Sequence, residues 1–218
     1  MSEAHRAKPP HLAAGYAAQF GDEEVVAAYR HRPPYPAETF AILDPLLGPR
    51  PRCMLELGAG TGDLTIGLAP LVDALIAVEP SRPMFERALQ RDGVAGAHVE
   101  WLAVAAEAYA FDRRYSAVVA AESFHWLDWD GVLPRIAGSL VPGGHLILIE
   151  RTVAEPLPWD ADLRALIREY STNRDYVPYD TATELETERT HGRRRTRPDQ
   201  RRHLSPAGRS LHRVLPFA

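Results

Sequence analysis

The chain has 218 residues, 45% of them hydrophobic and 25% charged, and its formal net charge is -4. These proportions are typical of a globular protein and predict one domain, or one domain with an appendage. The single cysteine, Cys53, excludes an internal disulfide and a cysteine-based zinc site. No stretch reaches the roughly 20 apolar residues of a membrane span. The N-terminus lacks the apolar core of a signal peptide, so we expect a cytoplasmic protein. We also expect no metal site.

The first predicted elements are two helices joined by a proline-rich segment. Residues 22–31 have helical periodicity, and Asp22 can cap the first turn. The sequence RPPYP at 32–36 ends this helix, because proline cannot continue it. Residues 38–47 predict the second helix.

From residue 53 onward, apolar strands alternate with helical stretches. The predicted strands are 53–57, 74–79, 98–104, 115–122 and 145–150. The predicted helices are 63–69, one capped by Ser81, one capped by Asp128, and 161–170, while VPGG at 141–144 predicts a turn. This alternation is typical of an α/β fold with a doubly wound, mostly parallel sheet covered on both faces. Such sheets bind ligands outside the carboxyl ends of their strands.

The sequence LELGAGTG, residues 55–62, joins the first of these strands to the following helix. Gly58, Gly60 and Gly62 indicate a tight turn or the close approach of a ligand. A dinucleotide-binding loop would need a glycine at position 63, where this chain has Asp63. The carboxylates of Glu56 and Asp63 would also face a diphosphate, so the sequence disfavours an NAD-type dehydrogenase.

A ligand that carries positive charge and no phosphate suits this loop better. S-adenosylmethionine has an ammonium and a sulfonium group, and Glu56 can attract that cationic end. Glu79 ends the second predicted strand, 19 residues after Gly60. An acid at this position can bind both hydroxyls of a ribose.

These motifs, LELGAGTG followed by AVEPS, resemble the class I S-adenosylmethionine-dependent methyltransferases over roughly residues 16–150. YRHRPPYP, ESFHWLD and LVPGGHLILIE are similar to the small-molecule group that includes trans-aconitate methyltransferases. The resemblance implies a Rossmann-like fold with S-adenosyl-L-methionine as cofactor. It also implies that one set of residues contacts the methionine end, the ribose or the adenine of this cofactor: Glu56, Gly58, Ala59, Gly60, Gly62, Glu79, Pro80, Met84 and, as the acid beside the adenine, Glu107.

The segment after the fourth predicted strand supplies candidates for the methyl acceptor. Methyl transfer needs alignment of the acceptor, and it needs a base only if the acceptor must lose a proton. His125 is a candidate base or a structural wall of the pocket. Glu122 is either solvated or orients a cationic or hydroxylic acceptor. The remaining substrate candidates are Tyr35, Ser123, Phe124 and Trp126.

The resemblance also divides the chain. Residues 1–36 are expected to form a lid, 37–150 the cofactor-binding domain and 151–188 a helical extension, followed by a tail at 189–218. The tail holds nine arginines and one acidic residue and has no alternating apolar run, so we expect it to be poorly ordered. Five strands are therefore clear, and strands six and seven of the full fold are atypical or missing. The tail is a disordered basic arm, a remnant of those strands, or the product of a frameshift near residue 189.

The function predicted from the sequence is S-adenosylmethionine-dependent methyl transfer to a small molecule, with a carboxylate among the candidate acceptor groups. The partners expected are this small molecule and no membrane, with a nucleic acid disfavoured. Two alternatives stay open. One is a cofactor-binding relic or regulatory protein without a working acceptor site, and the other is an RNA methyltransferase that uses the arginine-rich tail.

Overall fold

The structure is a computed structural model. It describes Leu12, residues 17–91, 98–151 and 158–170, Thr181 and Leu185, together with the backbone of residues 201–204 and 211–216. In this part of the chain no helix is long and apolar enough to cross a membrane. The same residues contain no group of histidine, cysteine or acidic side chains placed to hold a metal ion.

Seven strands form one sheet. Their bounds are β1 (Cys53–Leu57), β2 (Ala74–Val78), β3 (Val99–Leu102), β4 (Tyr115–Ala121), β5 (Leu140–Glu150), β6 (Arg201–Leu204) and β7 (Leu211–Pro216). The order across the sheet is β3-β2-β1-β4-β5-β7-β6. Strands β1 to β5 are parallel, whereas β7 runs antiparallel to β5 and β6 antiparallel to β7. The chain crosses from one side of β1 to the other between β3 and β4, which opens a crevice at the carboxyl edge.

Six α-helices lie in the described part of the chain: α1 (Glu23–Ala28), α2 (Ala37–Leu43), α3 (Thr65–Leu68), α4 (Arg82–Leu89), α5 (Trp129–Ser139) and α6 (Asp160–Tyr170). Short 3-10 turns accompany them at Ala18–Gly21, Tyr29–His31, Asp44–Leu47, Ala69–Leu71 and Phe124–Trp126. Two of the three predicted caps are confirmed. The Asp22 carboxylate accepts the Glu24 N–H at 2.7 Å, and the Ser81 hydroxyl accepts the Met84 N–H at 3.3 Å.

Asp128 does not cap α5 with its side chain, contrary to the prediction. Its backbone N–H donates instead to the carboxylate of Glu107 at 2.8 Å. The predicted turn at 141–144 also differs, because these residues lie within β5. They form an irregular stretch in which Tyr115 pairs with Leu140 but Ala117 pairs with His145. The glycine-rich sequence thus produces a bulge rather than a strand boundary.

Helices cover both faces of the sheet, as predicted. In β1, Leu55 and Leu57 belong to a core that also contains Val132 and Ile136 of α5. Met54, which directly precedes Leu55, belongs to a second core with residues of α2 and α3. Successive strand residues therefore face opposite layers, which explains why the strands read as continuous apolar runs.

The last two strands lie in the tail for which the sequence predicts poor order. The backbone of 201–204 and 211–216 completes the sheet, so strands six and seven are not missing. Strand β6 is an edge strand, and a charged sequence such as RRHL is common at sheet edges because it discourages pairing with other chains. The rest of the predicted tail lies outside the described residues, as do most of residues 171–188.

Candidate active site

A cavity of about 490 Å³ lies at the carboxyl edge of the sheet, where the glycine loop meets the ends of β2 and β4. Eight of the predicted cofactor residues line it: Glu56, Gly58, Ala59, Gly60, Glu79, Pro80, Met84 and Glu107. The ninth, Gly62, is buried and is not among the residues that line the cavity. The fold therefore places the glycine loop and the residues that follow β2 around one cavity.

The glycine loop depends on left-handed backbone. Gly58 has a φ of +71° and Gly60 a φ of +58°. A Cβ at position 58 would lie 2.6 Å from the Cβ of Ser123, whereas a Cβ at position 60 would find its nearest neighbour, the sulfur of Met84, at 3.8 Å. Gly58 is thus required by both conformation and packing, whereas Gly60 is required by conformation alone, because a Cβ there would meet only an ordinary van der Waals contact.

Glu79 joins the glycine loop to the end of β2. Its carboxylate accepts the Gly60 N–H at 2.8 Å and the Ser81 N–H at 2.7 Å, and the residue is only 5% exposed. Burial raises its pKa, while the two N–H donors act in the opposite direction. A carboxylate offers about four acceptor positions, so both oxygens can still accept hydroxyl groups from the cavity.

Glu56 lies deeper, at 2% exposure, and accepts the hydroxyl of Thr65 at 2.7 Å. Burial raises the pKa of this carboxyl to about 8. In the free protein it is therefore largely protonated at neutral pH. A cationic group in the cavity would favour its ionised form, because an opposite charge nearby lowers the pKa of an acid.

Asp63, which disfavours a dinucleotide, is held by a residue that the sequence did not identify. Arg91 pairs with its carboxylate at 2.5 Å and also donates to the carbonyl of Thr61 at 3.0 Å. The Thr61 hydroxyl donates to the same carboxylate at 3.0 Å. This network ties the glycine loop to the chain that follows α4.

The other end of the cavity contains Glu122, the residue that follows β4. Its φ is +55°, an uncommon conformation for a residue with a side chain. Its backbone N–H donates to the Ile149 carbonyl at 2.9 Å, and its Oε1 accepts the backbone N–H of Arg151. Burial raises the pKa of Glu122, opposed by the Arg151 N–H and by the guanidinium groups of Arg151 and Arg32.

Two arginines and two tyrosines complete this end. The guanidinium of Arg151 lies 4.3 Å from the ring centroid of Tyr35 and donates to the Pro33 carbonyl at 3.0 Å. The guanidinium of Arg32 lies 4.1 Å from the ring centroid of Tyr29. Within the described part of the chain, neither guanidinium forms an ion pair with an acidic side chain. The sequence prediction included Tyr35 but missed Arg151, whose position directly after an apolar strand was the available signal.

The other predicted acceptor residues separate into two groups. Ser123 and Trp126 line the cavity, and the Ser123 hydroxyl donates to the Leu57 carbonyl at 2.6 Å. Phe124 is buried and stacks on Trp129, with ring centroids 5.4 Å apart. His125 lies beside Trp126, with ring centroids 5.0 Å apart, and is not among the described residues that line the cavity. This placement does not favour His125 as a base for the acceptor.

The N-terminal segment covers the cavity between its two ends. Phe20 lines it, and its ring meets the ring of Trp126 edge to face at a centroid distance of 5.5 Å. Its carbonyl accepts the Ser81 hydroxyl at 2.5 Å. Phe20 therefore contacts both Ser81, which follows β2, and Trp126, which follows β4.

Comparison with known proteins identifies the family. Residues 54–144 match the family model described as "Methyltransferase domain". An uncharacterized methyltransferase of Mycobacterium tuberculosis (strain ATCC 25618 / H37Rv) is 36% identical over 174 residues, covering 76% of this chain and 68% of the relative. This chain belongs to the class I methyltransferases. A second uncharacterized methyltransferase of that strain is 32% identical over 111 residues, covering 50% of this chain and 55% of the relative.

The fold of this methyltransferase also occurs in solved structures. The N-methyltransferase NodS from Bradyrhizobium japonicum WM9, in complex with S-adenosylhomocysteine, superposes with a TM-score of 0.56 at 19% identity. The match covers 95% of this chain and 98% of NodS. The predicted family and fold are confirmed, and S-adenosyl-L-methionine as cofactor follows from membership of the family. The resemblance to trans-aconitate methyltransferases stays a prediction.

Proposed function

We propose that this methyltransferase transfers the methyl group of S-adenosyl-L-methionine to a small molecule that carries a carboxylate or a similar anion. The observation that carries the proposal is the pair of guanidinium groups at the acceptor end of the cavity. Arg32 and Arg151 each lie against a tyrosine ring, without an acidic side chain as ion-pair partner in the described part of the chain. Both guanidinium groups act electrostatically on the nearby carboxylate of Glu122, and an anionic ligand would give them a direct partner of the kind that arginine binds with good geometry.

The other end of the cavity suits the cofactor. Glu79 stands at the end of β2 with acceptor positions for two ribose hydroxyls, and Gly60 leaves room beside it. Glu56 lies where a positive group would stabilise its ionised form. We assign the remaining predicted contacts, Gly58, Ala59, Pro80, Met84 and Glu107, to the same cofactor.

The cofactor supplies an activated methyl group, so this chain has to align the acceptor and exclude water. A carboxylate that is itself methylated needs no base. Phe20, Tyr29, Tyr35 and Trp126 supply aromatic walls that restrict water at the acceptor end. Under this proposal the arginines hold the acceptor in line with the methyl group.

The test is methyl transfer to a panel of small carboxylic acids, measured as formation of S-adenosylhomocysteine. Wild-type protein should methylate members of the panel, and Arg151→Met should raise KM for the acceptor by about tenfold or more, because an ion pair that is partly buried is lost. Arg168→Met, on the exposed helix α6, is the control for removing a positive charge. An Arg151→Met variant with unchanged acceptor kinetics would contradict the proposal.

The alternative of an RNA methyltransferase is less well supported, because strands β6 and β7 place part of the arginine-rich tail in the sheet. The relic alternative makes a different prediction from the proposal. A relic would bind the cofactor but would methylate no member of the acid panel.

A further inference from the structure

Glu122 lies near the middle of the carboxyl edge of the sheet, at the end of the cavity where we place the methyl acceptor. It follows β4, which pairs with β1 on one side and β5 on the other. The next residue, Ser123, packs against Gly58 of the glycine loop. Glu122 therefore lies between the cofactor loop and Arg151 at the end of β5, and its side chain lines the cavity.

The backbone holds Glu122 in an uncommon conformation. Its φ of +55° is stabilised by the hydrogen bond from its N–H to the Ile149 carbonyl at 2.9 Å. Such a conformation costs free energy in a residue with a side chain and persists only where the surroundings fix it. The direction of the carboxylate is thus set by the fold rather than by solvent.

The two oxygens of this carboxylate differ. Oε1 accepts the backbone N–H of Arg151. Oε2 has no hydrogen-bond partner in the part of the chain that the structure describes. An ionised carboxylate can only accept, so Oε2 is complementary to an O–H or N–H donor and repels an anion.

The anion site and this acceptor atom are neighbours. Glu122 binds the backbone of Arg151, whose own guanidinium lies over Tyr35 and faces the same cavity. A ligand that presents an anion to the arginines and covers Oε2 without offering it a donor would remove the water that this oxygen can bind in the cavity. That loss is costly, because a buried acceptor without a donor forfeits its hydration.

We propose that Glu122 determines acceptor specificity by accepting a hydrogen bond from a hydroxyl or amino group of the acceptor. This inference rests on the proposed function and narrows it. The acceptor combines an anion, bound by Arg151 and Arg32, with an O–H or N–H group that reaches Glu122. Hydroxy acids and amino acids belong to this class, whereas plain carboxylic acids do not.

The test is calorimetric titration of acids into the full chain saturated with S-adenosylhomocysteine. The probes are matched sets: succinate against 2-hydroxysuccinate and aspartate, and benzoate against 4-hydroxybenzoate and 4-aminobenzoate. The expected result is that a hydroxy or amino acid binds about tenfold or more tightly than its plain counterpart, since a site that accepts a hydrogen bond rejects analogues without the donor. Glu122→Gln places an N–H donor at the free position and should reduce the preference for aspartate over succinate to less than about threefold, because the ammonium group of aspartate can only donate.

Glu150→Gln is the matched control, because it removes one negative charge at the end of β5 from a residue outside the cavity lining. It should retain the preference. The inference is overturned if each set binds alike, if plain acids bind more tightly, if Glu122→Gln keeps the preference for aspartate over succinate, or if no hydroxy or amino acid binds. Failure of the wild type to bind S-adenosylhomocysteine would instead contradict the proposed function, so the two failures are distinguishable.

Discussion

Replacement of Gly58 by alanine should destabilise the protein for two separable reasons. The φ of +71° costs a residue with a side chain about 1–2 kcal/mol. The new Cβ would also lie 2.6 Å from the Cβ of Ser123, and relieving such an overlap costs roughly 1–3 kcal/mol. Gly58→Ala should therefore reduce the free energy of unfolding by about 2–5 kcal/mol, measured by urea denaturation.

Gly60→Ala is the matched control, because its φ of +58° is similar but its Cβ would have no neighbour closer than 3.8 Å. It should cost only the conformational part, about 1–2 kcal/mol. Adding Ser123→Gly to Gly58→Ala removes the overlapping Cβ, so the pair should show a favourable coupling of roughly 1–3 kcal/mol in a double-mutant cycle. Equal destabilisation by Gly58→Ala and Gly60→Ala, with no coupling to Ser123, would refute the reasoning.

Two further variants test the surroundings of the site, and a third tests the core of the sheet. Glu56 has a pKa of about 8 in the folded protein and an ordinary pKa in the unfolded chain, so the folded state binds its proton more tightly. The free energy of unfolding should therefore fall by up to about 4 kcal/mol as the pH rises from about 5 to 8. Glu56→Gln should flatten this pH dependence, measured by denaturation at several pH values. Arg91→Met should cost about 1 kcal/mol of stability by removing the partner of Asp63, and the difference from wild type should shrink in 0.5 M salt. Tyr115→Phe should cost about 1–2 kcal/mol, because the buried hydroxyl of Tyr109 loses its partner at 2.6 Å, and a variant as stable as wild type would contradict that role.

The cofactor end of the site could be predicted from the sequence because its parts are local. The glycine loop directly follows β1, and Glu79 is 19 residues from Gly60, the residue whose N–H it accepts. Strand, loop and helix follow each other in the chain, so the spacing of the motif residues in the sequence determines how they are arranged in space. Family membership confirmed the predicted cofactor, whereas the contacts of the individual residues with it stay predictions.

The acceptor end could not be predicted to the same extent, because its contacts join distant parts of the chain. Arg151 donates to the carbonyl of Pro33, 118 residues away, and to Glu122, 29 residues away. His125 and Phe124 are next to cavity residues in the sequence, but the 3-10 turn at Phe124–Trp126 directs Phe124 into the core. Being next to cavity residues in the sequence therefore did not place Phe124 or His125 in the cavity lining.

The last two strands, predicted to be atypical or missing, could not be located from the sequence for a different reason. The prediction relied on alternating apolar residues, which an edge strand does not need. Strand β6 is at the edge of the sheet, and β7 pairs antiparallel with β5, which is already packed on both faces. Pairing with an existing strand, rather than its own apolar pattern, places β7 in the fold.

The central claim is that the carboxyl edge of this sheet binds S-adenosyl-L-methionine through Glu79. The most direct measurement is calorimetric titration of the purified protein with S-adenosylhomocysteine, with wild type beside Glu79→Ala and with circular dichroism to verify folding. The account predicts micromolar binding by the wild type and at least about tenfold weaker binding by the variant, because hydrogen bonds to a charged group are lost. A folded wild type that does not bind, or a variant that binds as tightly, would contradict it.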